Sequence, residues 1–300
     1  MELRQIKYFI EVAEREHVTD AANALHVAQS AVSRQIVNLE AELDVSLFIR
    51  EGRNVKLTPI GKAFLSHMKE AMHVIENALR EVEEYSEPER GTIRIGYPSS
   101  LAAYLLPIAI SAFREKYPLV KFHLHQSSYH ELIKNVINGE IDLALLGPIP
   151  KHENKVEGNI LFLENMIALV PVNHPAASQD SVTLSELQND PFILFPDGYI
   201  LREVVVKACQ ESGYEPNVAF EGEDIDAIKG LVAAGLGVTL IPEITIIDTL
   251  PRATVKLPLR DKPVTRTVGV IIPNNRQLLP TVKLFYDFVK DHFRKLAQFH

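Results

Sequence analysis

Cysteine is almost missing from this chain. Its one thiol, Cys209, excludes an internal disulfide framework and any multi-cysteine zinc site. In the run VVVKACQESG it reads as a small apolar helix residue. Long hydrophobic runs are missing too. No stretch approaches the roughly 18 apolar residues of a membrane span, and the opening MELRQIKYFIEVAERE is charged and periodic, unlike a secretion signal. A cytoplasmic protein with no membrane partner is expected. Basic charge is not in excess: 31 Lys and Arg against 39 Asp and Glu leave a formal charge of −8. That balance argues against wholesale wrapping by nucleic acid and leaves a local footprint open. Enzyme signatures are lacking, with no Walker loop, no GxGxxG after a strand, no GxSxG and no HExxH. The 11 histidines are scattered, and His123 and His125 alternate along one strand without further metal-ligand spacing. No metal, no cofactor and no catalytic residue is expected.

What is present exceeds a single core: 300 residues, 46% hydrophobic and 23% charged, imply two or three compact units. Leu3, Ile6, Phe9, Ile10 and Ala13 fall at three- and four-residue spacing, one apolar helix face. Thr19 reads as the N-cap of a short helix whose Ala21, Ala22 and Leu25 allow another helix to cross closely. Residues 29–43 form a third helix with Val32, Ile36, Leu39 and Leu43 on one face and Ser30, Ser33, Arg34 and Val37 opposite. Two short apolar segments follow in DVSLFIREGRNVKLTPIG, joined at Glu51 to Asn54 where Gly52 supplies turn freedom. This order predicts a winged helix-turn-helix over residues 1–58. Its recognition helix would set its first residues at base edges. Gln29, Ser30, Ser33 and Arg34 are residue types that read adenine, guanine or phosphate, whereas Arg50, Arg53 and Lys56 on the wing suit phosphate contacts. A plain solvated helix face and turn are the alternatives. Residues 1–60 hold seven basic against nine acidic side chains, but Arg34, Arg50, Arg53 and Lys56 share one 23-residue stretch. A double-stranded DNA operator is the expected partner.

Thr58 and Pro59 start a helix, the first as cap and the second at the first helical position, that runs to about Glu87, roughly 45 Å. Phe64, Met68, Ala71, Ile75, Ala78, Val82 and Tyr85 are spaced 4-3-4-3-4-3, a coiled-coil seam. Residues 59–88 are therefore expected to join copies of the chain, unless the helix lies on its own domain. Pro88-Glu89-Arg90-Gly91 reads as a hinge. From Thr92 strands and helices alternate, which predicts a parallel α/β sheet in two similar lobes, the first of residues 92–160 and 267–300, the second of 161–266. Ligands collect at strand ends and helix N-termini between such lobes. Ser99 and Ser100, Gly147 and Pro148, and Phe195 lie at such places. Arg202 is the preferred charged ligand for a carboxylate, with Arg266 competing, because a guanidinium matches a carboxylate bidentately. Ser99 as a simple cap and Arg202 as an exposed helix residue are the alternatives.

LRQIKYFIEVAE, AANALHVAQSAVSRQIVNLEAELDVSLF and LTPIG, followed by YLLPIAISAFREKYP, NGEIDLALLG and AAGLGVTLIPE, resemble the LysR-type transcriptional regulators over essentially the whole chain. The resemblance implies a multidomain fold of winged domain, linker helix and a two-lobed sensor similar to type 2 periplasmic binding proteins, assembled as a dimer or tetramer. It also implies that the Ser99–Ser100 position contributes to the effector site, and that RNA polymerase is a further partner. Overall similarity is to Bacillus-type activators of the glutamate synthase operon, which implies glutamate biosynthesis genes and 2-oxoglutarate as the effector. Two other classes share parts of this pattern. One is an α/β small-molecule-binding protein or metabolic enzyme with an appended DNA-binding domain, of which the enzyme would need a catalytic motif not found here; the other, a transport solute-binding protein, would need a secretion signal and would have no use for residues 1–87.

Overall fold

The computed structural model describes residues 1–52, 54–247 and 250–297. They form two compact units that divide between Leu79 and Arg80.

The first unit begins with α1 (Leu3–Arg15), α2 (Val18–Ala24) and α3 (Gln29–Leu43). The cap of α2 is His17 and not Thr19: the His17 imidazole accepts from the Asp20 N–H, and Thr19 lies inside the helix. Ala21 and Ala22 are almost wholly buried, so α2 crosses its neighbours at close range, and they join Phe9, Val12, Val32, Ile36, Leu39 and Leu47 in one core. Each large side chain sealed there contributes about 2 kcal/mol. Strands β1 (Phe48–Glu51) and β2 (Asn54–Leu57) pair antiparallel, Phe48 opposite Leu57. The Glu40 carboxylate of α3 accepts from the N–H groups of Leu47 and Phe48, which fixes the wing against the recognition helix.

Helix α4 (Pro59–Glu84) is about 39 Å long by its rise, one turn shorter than the sequence suggests. Thr58 caps it, accepting from the Gly61 N–H while its hydroxyl donates to the Ser46 carbonyl. Phe64, expected on the seam, instead packs edge-on to Phe9 at 5.2 Å. Further along, Val82 and Tyr85 are 76% and 84% exposed, and Val74 and Leu79, outside the expected seam, are 66% and 61% exposed. An apolar stripe is thus left uncovered.

In the second unit, β3 (Thr92–Tyr97), β4 (Lys121–Gln126) and β5 (Leu143–Leu146) run parallel. They carry α5 (Ser99–Ala102), α6 (Leu105–Lys116) and α7 (Tyr129–Asn138) between them. β6 (Val156–Pro171) then leaves for the second lobe and β11 (Thr265–Pro273) returns. Two strands that cross in opposite senses must be antiparallel, and they are. The wholly parallel sheet expected from the alternation is therefore a mixed one, in the order β10-β6-β11-β5-β3-β4 with β9 also on β6. The second lobe comprises β7 (Pro191–Leu194), α8 (Ile200–Glu211), β8 (Asn217–Glu221), α9 (Ile225–Ala233), β9 (Thr239–Pro242) and β10 (Thr254–Leu257). β6 pairs with β11 as far as Asn165 and with β9 from Met166, so the crossings lie near 165 and 265, not at 160 and 266. Leu161 accordingly belongs to the first lobe's core and Met166 to the second's. α10 (Pro280–Ala297) closes the first lobe, where Phe113 meets Phe285 edge-on at 5.1 Å.

The expected hinge at Pro88–Gly91 is pinned instead. Thr281 donates its hydroxyl to the Pro88 carbonyl and its N–H to the buried Glu84 carboxylate. A side chain at Gly91 would meet Thr281 Oγ1 at 2.0 Å. Asp142 completes the anchor, accepting from Arg80 and from the side chain and N–H of Arg94.

Candidate DNA-reading surface and interlobe cavity

On the first unit, Gln29, Ser30 and Arg34 are exposed and Ser33 half-buried along the first turns of α3, opposite the buried Val32 and Ile36. Gln29 donates to the Ser33 hydroxyl at 3.0 Å, which holds its amide along the helix surface. Arg34 makes no ion pair among the described residues, so its guanidinium is available to an external acceptor. Lys56 is exposed on β2. Arg53 and the side chain of Arg50, both expected phosphate contacts, lie outside the described residues.

Within the second unit a cavity of about 240 Å³ opens between the lobes. The first lobe contributes Ser99, Ser100, Gln126, Ser127, Ser128, Tyr129 and Gly147, and the second contributes Phe195, Tyr199 and Glu223 among others. Three helix starts converge on it: Ser99 opens α5, Tyr129 opens α7 behind its cap residue Ser128, and Tyr199 caps α8. Their N–H groups and positive dipole ends favour an anion. Phe195 and Tyr199 stack at 5.4 Å to form an apolar wall. Burial and the charge of Glu203 push the Tyr129 phenol up to about 12, so it stays a neutral donor.

Of the residues picked out by sequence, Ser99, Ser100, Gly147 and Phe195 are brought together here. Pro148 lines an adjoining cleft with Ile149 and Lys151, which shares Tyr129 and Ile200 with the cavity. Arg202 does not line the cavity. Its guanidinium is committed to Asp197, Glu221 and the Phe195 carbonyl inside the second lobe. Arg266 is sealed beneath the floor on Glu164 and reaches the cavity only through Ser100 and Gly147. Sequence reasoning missed Gln126 to Tyr129, although QSSYHE repeats the strand-end, paired-hydroxyl, helix-start pattern of YPSSLA. Among the described residues no group of three His, Cys, Asp or Glu side chains is placed to hold a metal ion, and no helix is long and apolar enough to cross a membrane.

A winged helix-turn-helix with its reading face open, followed by a two-lobed chamber, defines a ligand-responsive DNA-binding regulator. Residues 3–62 match the bacterial regulatory helix-turn-helix proteins of the lysR family, and residues 86–294 match the LysR substrate binding domain. The transcriptional dual regulator GltC of Bacillus subtilis is 58% identical over 299 residues, all of both chains. The transcriptional regulator CysB of Haemophilus influenzae is 32% identical over 83% of this chain and 78% of its own. The structure of full-length CbnR with its target DNA superimposes with a TM-score of 0.78 at 25% identity, over 97% of this chain and 99% of that one. The chain belongs to the LysR family: it is a DNA-binding transcription regulator with an effector-binding domain, and not an enzyme.

Proposed function

We propose that this regulator controls genes of glutamate biosynthesis, acts as an activator, and responds to a small dicarboxylate, with 2-oxoglutarate the first candidate. The regulon rests on the full-length identity with GltC. The observation that carries the ligand class is the convergence of three helix starts and four serines on one cavity between the lobes. In this reading Ser99, Ser100, Gly147 and Phe195 hold the effector together with Ser127, Ser128 and Tyr129. Pro148, Arg202 and Arg266 act from behind, Arg202 by fixing the Phe195 carbonyl and hence the Phe195–Tyr199 wall.

Gln29, Ser30, Ser33 and Arg34 read bases, and Arg50, Arg53 and Lys56 hold phosphates. Met68, Ala71, Ile75, Ala78 and Val82, with Phe64 at their core-facing end, form the self-association seam, extended by the exposed Val74 and Leu79. A ligand that bridges the lobes favours one arrangement of them and so biases an equilibrium that RNA polymerase reads at the promoter. Titration calorimetry with 2-oxoglutarate, and transcription in vitro from a glutamate synthase promoter with and without it, test the reading together. Saturable binding and ligand-dependent activation are expected, with binding lost in Ser100→Ala. Wild-type affinity in that variant would eliminate this cavity.

A further inference from the structure

The cavity poses a chemical problem for an anion. Among the described residues that line it there is no lysine or arginine, while Glu223 contributes a carboxylate at its edge. The nearest cation by contact is out of sight. Arg266 is 2% exposed, and its guanidinium lies directly under Gly147, where an added Cβ would sit 3.2 Å from Cζ. Nε donates to Glu164 Oε2 at 2.7 Å, and Nη1 donates to the Gly147 carbonyl at 3.2 Å and to Ser100 Oγ at 3.1 Å. Nη2 has no partner. Glu164 faces away from the cavity chemistry, its other oxygen accepting from the Ile244 N–H at 3.1 Å.

The pair is thus a buried dipole, with its positive end against the cavity floor and its negative end on the N–H of Ile244, in the turn Glu243–Ile246 that follows β9. Buried ion pairs are poor devices for stability, since apolar residues of equal volume generally serve as well. Something other than stability recommends this one. Ser100 Oγ already accepts from Arg266, and no protein acceptor for its own proton is recorded among the described residues. The hydroxyl is left to donate, and hydrogen bonds in such a chain reinforce one another. A carboxylate oxygen in the cavity would accept a hydrogen bond from a hydroxyl polarised by a guanidinium it never touches.

We propose that Arg266 is the specificity-determining residue of the interlobe cavity: it fixes the Ser100 hydroxyl as a donor toward the ligand and supplies, through that hydroxyl, the positive charge that the lining lacks. This deepens the proposed reading of the cavity as the effector site and rests on it. Arg266 is a positioning residue in this role, because it acts through Ser100.

Two measurements separate the inference from the choice of effector. The first needs no ligand. Ser100→Cys in a Cys209→Ser background places a thiol against Arg266, and its ionisation is followed by thiolate absorbance. Ordinary free thiols titrate at about 8.5. The introduced thiol should show at least tenfold more thiolate at neutral pH beside the native pair than with Arg266→Met and Glu164→Gln together, a combination that removes both charges and leaves no unpaired carboxylate. Should that combination unfold, Glu164→Gln alone is the second variant: it strips the countercharge from Arg266 and should raise the thiolate fraction further. Equal ionisation with and without the pair, or no rise in the second variant, overturns the proposal.

The second is calorimetry with 2-oxoglutarate and its dimethyl ester. The wild type should prefer the dianion, and Arg266→Met with Glu164→Gln should lose at least tenfold of that preference with ester binding unchanged. A fall in both ligands alike would mark a merely structural role and overturn the proposal. A wild type that binds neither compound but shows the thiolate enhancement would remove 2-oxoglutarate as effector and leave the role of Arg266 supported.

Discussion

Replacing Asp142 by Asn tests the anchor that joins the last turn of α4 to the first lobe. The carboxylate is 5% exposed at its side chain and faces two guanidiniums, Arg80 at 3.0 Å and Arg94 at 2.6 Å, themselves 19% and 16% exposed. Removing one partner of a buried pair costs about 3–5 kcal/mol. Asn keeps one acceptor and the arginines keep some solvent, which places the loss at about 3 kcal/mol. For a unit of this size that lowers the melting temperature by about 6–12 °C. Eight of the nine tyrosines follow residue 80, so near-ultraviolet circular dichroism reports this unit. The pH dependence has a definite sign. Burial alone would raise the Asp142 pKa, but hydrogen bonds and charges from Arg80 and Arg94 outweigh it and hold it below the usual carboxylate value. A depressed folded pKa means that the stabilisation is complete above the unfolded value of about 3.9 and is lost as pH falls through the folded one. The difference between wild type and Asp142→Asn should therefore be constant from neutrality to about pH 5 and shrink only below pH 4. A loss under about 1 kcal/mol, or a difference that fades above pH 5, would refute the role given to the charge.

Ile75→Asp should dissociate the chain toward monomer and abolish operator binding while the sensor stays folded, because it puts an unpaired charge into an apolar seam; unchanged mass by sedimentation would count against the seam. Arg34→Ala should lose about 1–3 kcal/mol of specific binding and relax preference at one base position per half-site. Lys56→Ala should weaken all sequences alike and lower the salt slope by about one, and identical profiles would undo the division between base and phosphate contacts. Gly61→Ala should destabilise the winged unit by about 1–3 kcal/mol, since its Cβ would lie 2.2 Å from the Leu47 carbonyl oxygen, a backbone atom that moves only with the wing; an unchanged melting curve would show that the wing yields freely.

Local periodicity made the first unit legible: α1 and α3 fall within a residue of their expected ends because each carries one apolar face. Residue type points to Thr19 as the cap, the commoner capping type, and not to His17. The same 3.5-residue rhythm serves two purposes in α4, and sequence alone could not tell that Phe64 packs on Phe9 while Val82 faces outward. Local alternation does not reveal strand direction where β6 and β11 cross, since their pairing joins residues about a hundred positions apart. Glu164 escapes a local reading for the same reason. A charge inside ILFLENMIALVP needs a partner, and that partner is 102 residues away. The residue type of Arg202 suits a carboxylate ligand, but Asp197 and Glu221, which consume its donors, are brought to it only by the fold.

These long-range ties bear on how a ligand could act. Arg80 and Glu84, in the last turn of α4, are bound to Asp142 and Thr281, so that turn and the first lobe move as one body. The second lobe is joined to this body covalently only where the chain crosses near 165 and 265. The Arg266–Glu164 pair sits at that junction, with hydrogen bonds to Ser100 on one side and to the N–H of Ile244 on the other. In the proposed reading, an effector that draws on Ser100 therefore acts where lobe movement is hinged, and needs no path through the sheet. Its leverage is bounded by its preference for one arrangement: tenfold contributes about 1.4 kcal/mol per site. Reversing a strongly biased equilibrium needs about 5.5 kcal/mol, more than one such cavity supplies. An assembly in which several chains respond together, joined through the exposed stripe on α4, meets that requirement with a cavity of modest selectivity.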